Sequence, residues 1–352
     1  VFSIMQSCMT NEAMQNAAKI IAPLLSKHAD SINLNAKLFS RIKQVYDQKD
    51  TLKLSLEQTR LLEEYYKEFV RGGANLSGDK KQRFKEINEK LAVLTLTFGE
   101  NILKETNRFK MVIEDKADLA GLPQSSIDAA AESASAEKLE GKWLFTIHKP
   151  SLIPFLQYSE KRELRKKMYM AYIRQGDHND ELDNKKILLE ILKLRTEKAK
   201  LLGFKSYAHF KLDNNMAKTP GKVREFLMKL WKPAVELAKK ERAELQKMIE
   251  KEGNRFKLEP WDWWFYSEKL KKAKYDLDDE KLRPYFKLEN VRDGAFKVAN
   301  KLWGLIFKEL TDVPVYHPDA NVFEVKNSDG SHIGVLYTDY FPRASKRGGA
   351  WM

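Results

Sequence analysis

With 352 residues, 43% hydrophobic and 32% charged, the chain is long enough for about two structural units of roughly 150 residues each and too apolar to be disordered. Its 16 Gly and 11 Pro are too few for a fibrous or low-complexity protein. The 63 Lys and Arg exceed the 50 Asp and Glu by 13, which biases the surface toward anionic partners at low salt without defining a function.

The single cysteine, Cys8, cannot form an internal disulfide, so folding requires no oxidising compartment. A cytoplasmic location is expected. The periplasm is the alternative, because the chain begins without Met and a removed signal would be invisible. No apolar run approaches the roughly 18 to 20 residues that cross a bilayer, so no membrane partner is expected.

Most of the chain repeats apolar residues every three or four positions, which predicts a mainly α architecture of packed amphipathic helices. Leu56, Leu61, Leu62, Tyr65, Phe69 and Val70 fall on one stripe, and Ser55 with Gln58 makes a capping box before it. A second long helix is predicted from about Lys80 to Thr106, forming a helical hairpin with the first. Met111 to Ile113 and Lys142 to Ile147 are predicted as two short paired strands, with Trp143, Phe145 and Ile147 alternating against Leu144 and Thr146. Between them, Ser125 or Ser126 is predicted to cap a helix over Ile127 to Ala134. Helical period resumes from Ser159 through Met170 and from Ile187 to Leu202, and Tyr207 to Leu212 opens a short helix.

Thr219 followed by Pro220 is a strong helix start, since the hydroxyl accepts an orphan N–H and proline fills a first-turn position that needs no donor. That helix is predicted to run to about Glu252, with Pro233 inside it. Helices follow at about Asp262 to Tyr275 and Asp293 to Phe307. Val322 to Val325 and Ile333 to Tyr337 then alternate about Asn327-Ser328-Asp329-Gly330, a β-hairpin. The domain division read from this pattern is 1–158, an N-terminal helical region with a two-stranded excursion; 159–320, a second helical region; and 321–352, the hairpin and the start of a catalytic region. The stop at Met352, directly after Gly348-Gly349-Ala350-Trp351, leaves the sheet unfinished and reads as a cut.

The common catalytic constellations are missing. A helical zinc site needs two His four residues apart with a Glu between them, but the closest two of the 6 histidines, His317 and His332, are fifteen positions apart. There is no nucleophile elbow and no phosphate-cradling glycine loop. The basic runs Lys161-Arg162 with Arg165-Lys166-Lys167, and Lys269 to Lys274, could track a phosphate backbone, but interleaved acids favour solvated helix faces, and no nucleic-acid partner is expected. The aromatics from Trp261 to Tyr266 are expected to pack into a core. Gly348 and Gly349 admit two readings: an ordinary turn, or a place where an extended backbone comes close enough to pair.

Several segments together resemble the peptidyl-dipeptidases, or dipeptidyl carboxypeptidases, of the thimet oligopeptidase family of zinc metallopeptidases. They include Gly73-Ala74-Asn75-Leu76, Leu201-Leu202-Gly203-Phe204, Met216-Ala217-Lys218-Thr219-Pro220, Pro260-Trp261-Asp262-Trp263, Leu282-Arg283-Pro284-Tyr285-Phe286, Val315-Tyr316-His317-Pro318-Asp319 and Gly348-Gly349-Ala350-Trp351-Met352. The resemblance implies a helical protein whose walls line a deep channel, with a small sheet near the C-terminal end of this chain. It implies hydrolysis of short unfolded peptides with release of C-terminal dipeptides. Zinc activates a water there, and a Glu accepts the proton. The His-Glu-x-x-His motif of that family does not occur in this sequence, so the resemblance places the zinc ligands and catalytic residues outside the chain and predicts that the isolated chain is inactive. The residues it assigns to substrate are Gly348, Gly349, Ala350 and Trp351, as an edge for an extended peptide. A monomer is expected. The alternatives are a general oligopeptidase of the same family and a basic helical binding module.

Overall fold

The computed structural model describes residues 1–277 and 279–349. In chain order, the elements are α1 (Phe2–Cys8), α2 (Glu12–Asn33), α3 (Ala36–Asp47), α4 (Leu56–Arg71), α5 (Gly78–Arg108), β1 (Met111–Ile113), α6 (Gln124–Ala136), β2 (Trp143–Phe145), α7 (Lys149–Tyr158), α8 (Arg162–Ile173), α9 (Lys185–Leu201), α10 (Tyr207–Leu212), α11 (Pro220–Lys251), α12 (Pro260–Tyr275), α13 (Asp279–Leu282), α14 (Leu288–Trp303), β3 (Ile306–Leu310), β4 (Asn321–Lys326) and β5 (His332–Thr338). The fold is mainly α with two small antiparallel sheets, β1-β2 and β3-β4-β5. Two compact units are built from separate stretches, one from 1–11, 106–174 and 241–352, the other from 12–105 and 175–240. This division cuts across the three consecutive segments read from the sequence.

In the second of these units, local chemistry sets the helix ends. The Ser55 hydroxyl accepts from the Gln58 N–H while the Gln58 side chain accepts from the Ser55 N–H, the reciprocal cap predicted from the sequence. The rings of α4 stack on α3, the helix before it. Tyr46 and Tyr66 lie 3.8 Å apart at their centroids, and Phe39 lies 6.2 Å from Phe69. Phe84, Ile87, Leu194 and Ala199 supply buried apolar surface from α5 and α9. Asn88 bridges two charges there, donating to Asp30 at 2.7 Å and accepting from Lys198 at 2.6 Å. Burial pushes the Asp30 carboxyl up and the Lys198 amine down, and the shared amide gives each a partner while Asp30 Oδ2 stays buried without one among the described residues.

In the other unit, β1 pairs with β2 through Met111↔Phe145 and Ile113↔Trp143. Leu144 and Phe145 are both buried, so the expected in-and-out alternation gives way to a strand covered on both faces. Met111, Phe145, Leu152, Phe155, Leu156 and Met168 form the main core, and each fully buried side chain of this size contributes roughly 1.5 to 3 kcal/mol. α6 starts at Gln124 after Pro123, with no side-chain cap. This corrects the expectation of a serine cap. Thr219 does cap α11, its hydroxyl accepting from the Lys222 N–H at 3.3 Å.

The predicted helix from Asp293 to Phe307 ends early. α14 stops at Trp303, Gly304 turns left-handed at φ +70°, and Phe307 enters β3 opposite Val325. Phe307 there stacks on Phe296 of α14 at 4.0 Å, with Phe323 edge-on to Phe296 at 5.0 Å. The predicted hairpin is β4-β5, and β5 bonds β4 along one side only among the described strands. No helix among the described residues is long and apolar enough to cross a membrane.

Candidate functional site

The segment carrying the predicted substrate residues begins where β5 ends, at Thr338. From Asp339 to Gly349 it has no helix or strand, so its backbone groups and charges must be satisfied one by one. Asp339 does most of this. Its carboxylate accepts from both terminal nitrogens of Arg343, at 2.9 and 2.6 Å, and from the Tyr316 hydroxyl at 3.0 Å, with the Lys346 amine 3.0 Å away. Lys346 also donates to the Asp339 and Phe341 carbonyls. Only 7% of the Asp339 side chain is exposed. Burial pushes its carboxyl up, but the hydrogen bonds from Arg343, Lys346 and Tyr316 outweigh that and hold it far below the usual carboxylate range. The same burial and the adjacent carboxylate push the Tyr316 hydroxyl well above its ordinary value.

Arg343 reaches further. Its Nη2 also donates to the Cys8 carbonyl at 2.9 Å, one of the carbonyls left free at the C-terminus of α1, where a cation is also favoured by the helix dipole. Two backbone bonds continue the contact, from the Thr10 N–H to the Ser345 carbonyl and from the Arg347 N–H to the Ser7 carbonyl, and Asn107 donates to the Ala344 carbonyl at 2.8 Å. The segment is therefore tied at Asp339, Arg343, Ala344, Ser345, Lys346 and Arg347, up to the residue before Gly348.

Gly348 and Gly349 are both exposed, and a Cβ built on either meets nothing within 4 Å among the described residues. They differ in backbone. Gly349 has φ +115°, a conformation that side-chain-bearing residues rarely adopt, whereas nothing in the backbone of Gly348 demands glycine. The two lie in an irregular bend and not within a strand, since the sheet ends ten residues earlier at Thr338. Ala350 and Trp351, the other two predicted substrate residues, lie outside the described residues.

The histidines are dispersed, each with a local partner where one is described. His317 accepts from the Asp319 N–H, His332 lies 3.1 Å from Glu324, His209 bonds Ser206, His148 lies 3.2 Å from Thr146, and His178 pairs with Glu105 at 2.9 Å. Among the described residues no group of three or more His, Cys, Asp or Glu is placed to hold a metal ion. The zinc implied by the sequence resemblance has no fitting donor set here.

One sequence reading shifts at this level and another holds. Arg162 and Arg165, taken from the sequence as part of a solvated basic face, both turn inward onto Asp262. Phe265 and Tyr266 pack into the core with Leu245, Ile249 and Leu258, as their position at a helix start predicted. Sequence reasoning passed over Asp339 and Arg343, and singled out Tyr316 only as part of a family-like segment. Asp339 and Arg343 are spaced i, i+4, but no helical pattern surrounds them to give the spacing meaning.

Residues 155–352 match peptidase family M3. The dipeptidyl carboxypeptidase of Escherichia coli (strain K12) is 36% identical over 353 residues, covering 100% of this chain and 52% of the relative. Oligopeptidase A of the same organism is 35% identical over 354 residues, covering 99% of this chain and 52% of the relative. The organellar oligopeptidase A of Arabidopsis thaliana is 35% identical over 349 residues, covering 96% and 44%. The chain spans about half the length of the curated relatives it matches. It belongs to peptidase family M3.

Proposed function

We propose that this chain is the substrate-guiding part of a metallopeptidase that hydrolyses short, unfolded peptides and releases dipeptides from their C-termini. The observation that carries the reading is the 36% identity to a dipeptidyl carboxypeptidase along the whole chain, together with the peptidyl-dipeptidase segments quoted from the sequence. The metal of the parent enzyme is zinc in this reading, held by residues outside these 352, as the resemblance to the zinc metallopeptidases and the lack of a His-Glu-x-x-His motif in this sequence imply. The contribution of this chain is geometric. Its helices form the wall of a channel that admits extended peptides, and Gly348, Gly349, Ala350 and Trp351 let a peptide backbone come close enough to accept and donate hydrogen bonds. The parent works as a monomer in the cytoplasm, in keeping with a buried lone Cys8 that needs no oxidising compartment.

The second reading, a general oligopeptidase that cuts within peptides, is supported by the 35% identity to oligopeptidase A over 99% of the chain. Product analysis separates the two. The full-length parent is given one peptide with a free C-terminus and the same peptide amidated. Release of the terminal dipeptide from the free form alone supports the first reading, and equal internal cleavage of both forms supports the second.

A further inference from the structure

We infer that Asp339 is a positioning residue for substrate. Through Arg343 and the C-terminal end of α1, it holds the 339–349 segment in the conformation that presents Gly348 to an extended peptide. This inference rests on the reading that Gly348 and Gly349 receive the substrate backbone, and it adds the device that keeps them in place.

Without a ladder or helix to fix it, the path from Asp339 to Gly349 is set by side chains and by contacts with other segments. A binding edge made of backbone works only if held to within about half an ångström by a supporting set of residues. That support is built from both ends here. Asp339, at the start of the segment, is buried and bound by both nitrogens of the Arg343 fork, by Lys346 and by Tyr316. Arg343 carries the tie across to the Cys8 carbonyl. The Ser7 carbonyl then accepts from the N–H of Arg347, the residue immediately before Gly348. The last turn of α1 thus has two of its free carbonyls taken up by this segment. Helix and segment are each completed by the other, and among the described residues the bonds reach Arg347, the residue before the candidate substrate contact.

The residues act through the backbone of Gly348 and touch no substrate themselves, so the test must read more than stability. In the full-length parent, KM, kcat and thermal midpoint are measured for Asp339→Asn, Tyr316→Phe, Gly348→Val and the pair Asp339→Asn with Gly348→Val. The expected result is a KM for a peptide substrate raised about tenfold by Asp339→Asn with kcat within about threefold of the parent's. Tyr316→Phe, which removes one donor and keeps the ring, raises KM by about threefold and carries the test alone if Asp339→Asn does not fold. The double variant is expected to lose less than the product of the two single losses, because both act through one segment. If Gly348→Val raises KM while Asp339→Asn and Tyr316→Phe lower only the thermal midpoint, or if the losses multiply, the positioning role is overturned and the substrate reading survives. If Gly348→Val leaves KM unchanged, the substrate reading fails and the inference falls with it.

Discussion

The Arg165 guanidinium donates to Oδ1 of Asp262 at 2.8 Å, with 2% of one side chain and none of the other exposed. Arg162 binds the same carboxylate from its second edge, through Nε and Nη2. The carboxylate also accepts from the Glu259 N–H at the start of α12. One buried acid therefore joins α8 to α12 and fixes how the aromatic start of α12 enters the core. Arg165 lies 4.1 Å over the Phe265 ring and Arg162 lies 4.3 Å over Phe256, so the cations are enclosed by π faces as well as paired.

Removing one member of such a group leaves a buried charge without its partner. Asp262→Ala is expected to destabilise the fold by about 3 to 5 kcal/mol, measured by urea unfolding. An exposed pair such as Lys43 with Asp47 is the control, since solvent screens surface pairs of this kind and they contribute little to stability. A loss at Asp262 no larger than at Asp47 would show that the network does not join the two helices energetically.

The two glycines of the candidate site are separable by substitution. Gly349→Ala forces a side chain into φ +115° and is expected to destabilise the chain by about 1 kcal/mol or more, whatever binds nearby. A Cβ built on Gly348 meets no atom of the described residues within 4 Å, so the thermal midpoint of Gly348→Val should stay close to the parent value while kcat/KM of the full-length enzyme falls at least about tenfold. Unchanged kinetics would reduce Gly348 to an ordinary turn residue.

His148 gives a dependence on pH. Its Nε2 is buried without a hydrogen-bond partner among the described residues, and burial pushes its pKa below the ordinary 6.5. The unfolded chain then takes up a proton at a higher pH than the folded one. The stability that comes from keeping this ring neutral is fully present above pH 6.5 and is lost as pH falls from there through the lower folded value. Thermal midpoints at pH 7.5 and pH 5.5 should therefore differ, and His148→Asn should reduce that difference. An equal pH slope in the variant would assign the effect to other groups.

What the sequence made legible was local. Ser55 with Gln58, Thr219 with Pro220 and the Asn327 to Gly330 turn each specify their element within four residues, and each is found. What it concealed depends on partners far along the chain. Phe307 looks helical until β4 is there to pair with it. Arg162 and Arg165 look like surface charge until Asp262 arrives to take them inward. The tie from Arg343 to the Cys8 carbonyl joins opposite ends of the sequence, and no spacing rule reaches that far. Within the candidate site, Gly348 and Gly349 stood out because adjacent glycines are a local signal. The Asp339 cluster in the segment before them carries no local signal.

The claim on which the account turns is that these 352 residues guide peptide and leave the metal to the rest of the enzyme. Its most direct test is the zinc content of the purified chain after equilibration with zinc and dialysis, measured with peptide cleavage on the same sample. Zinc well below one per chain and no dipeptide released are the expected results. One tightly held zinc per chain, together with zinc-dependent release of dipeptides, would contradict it.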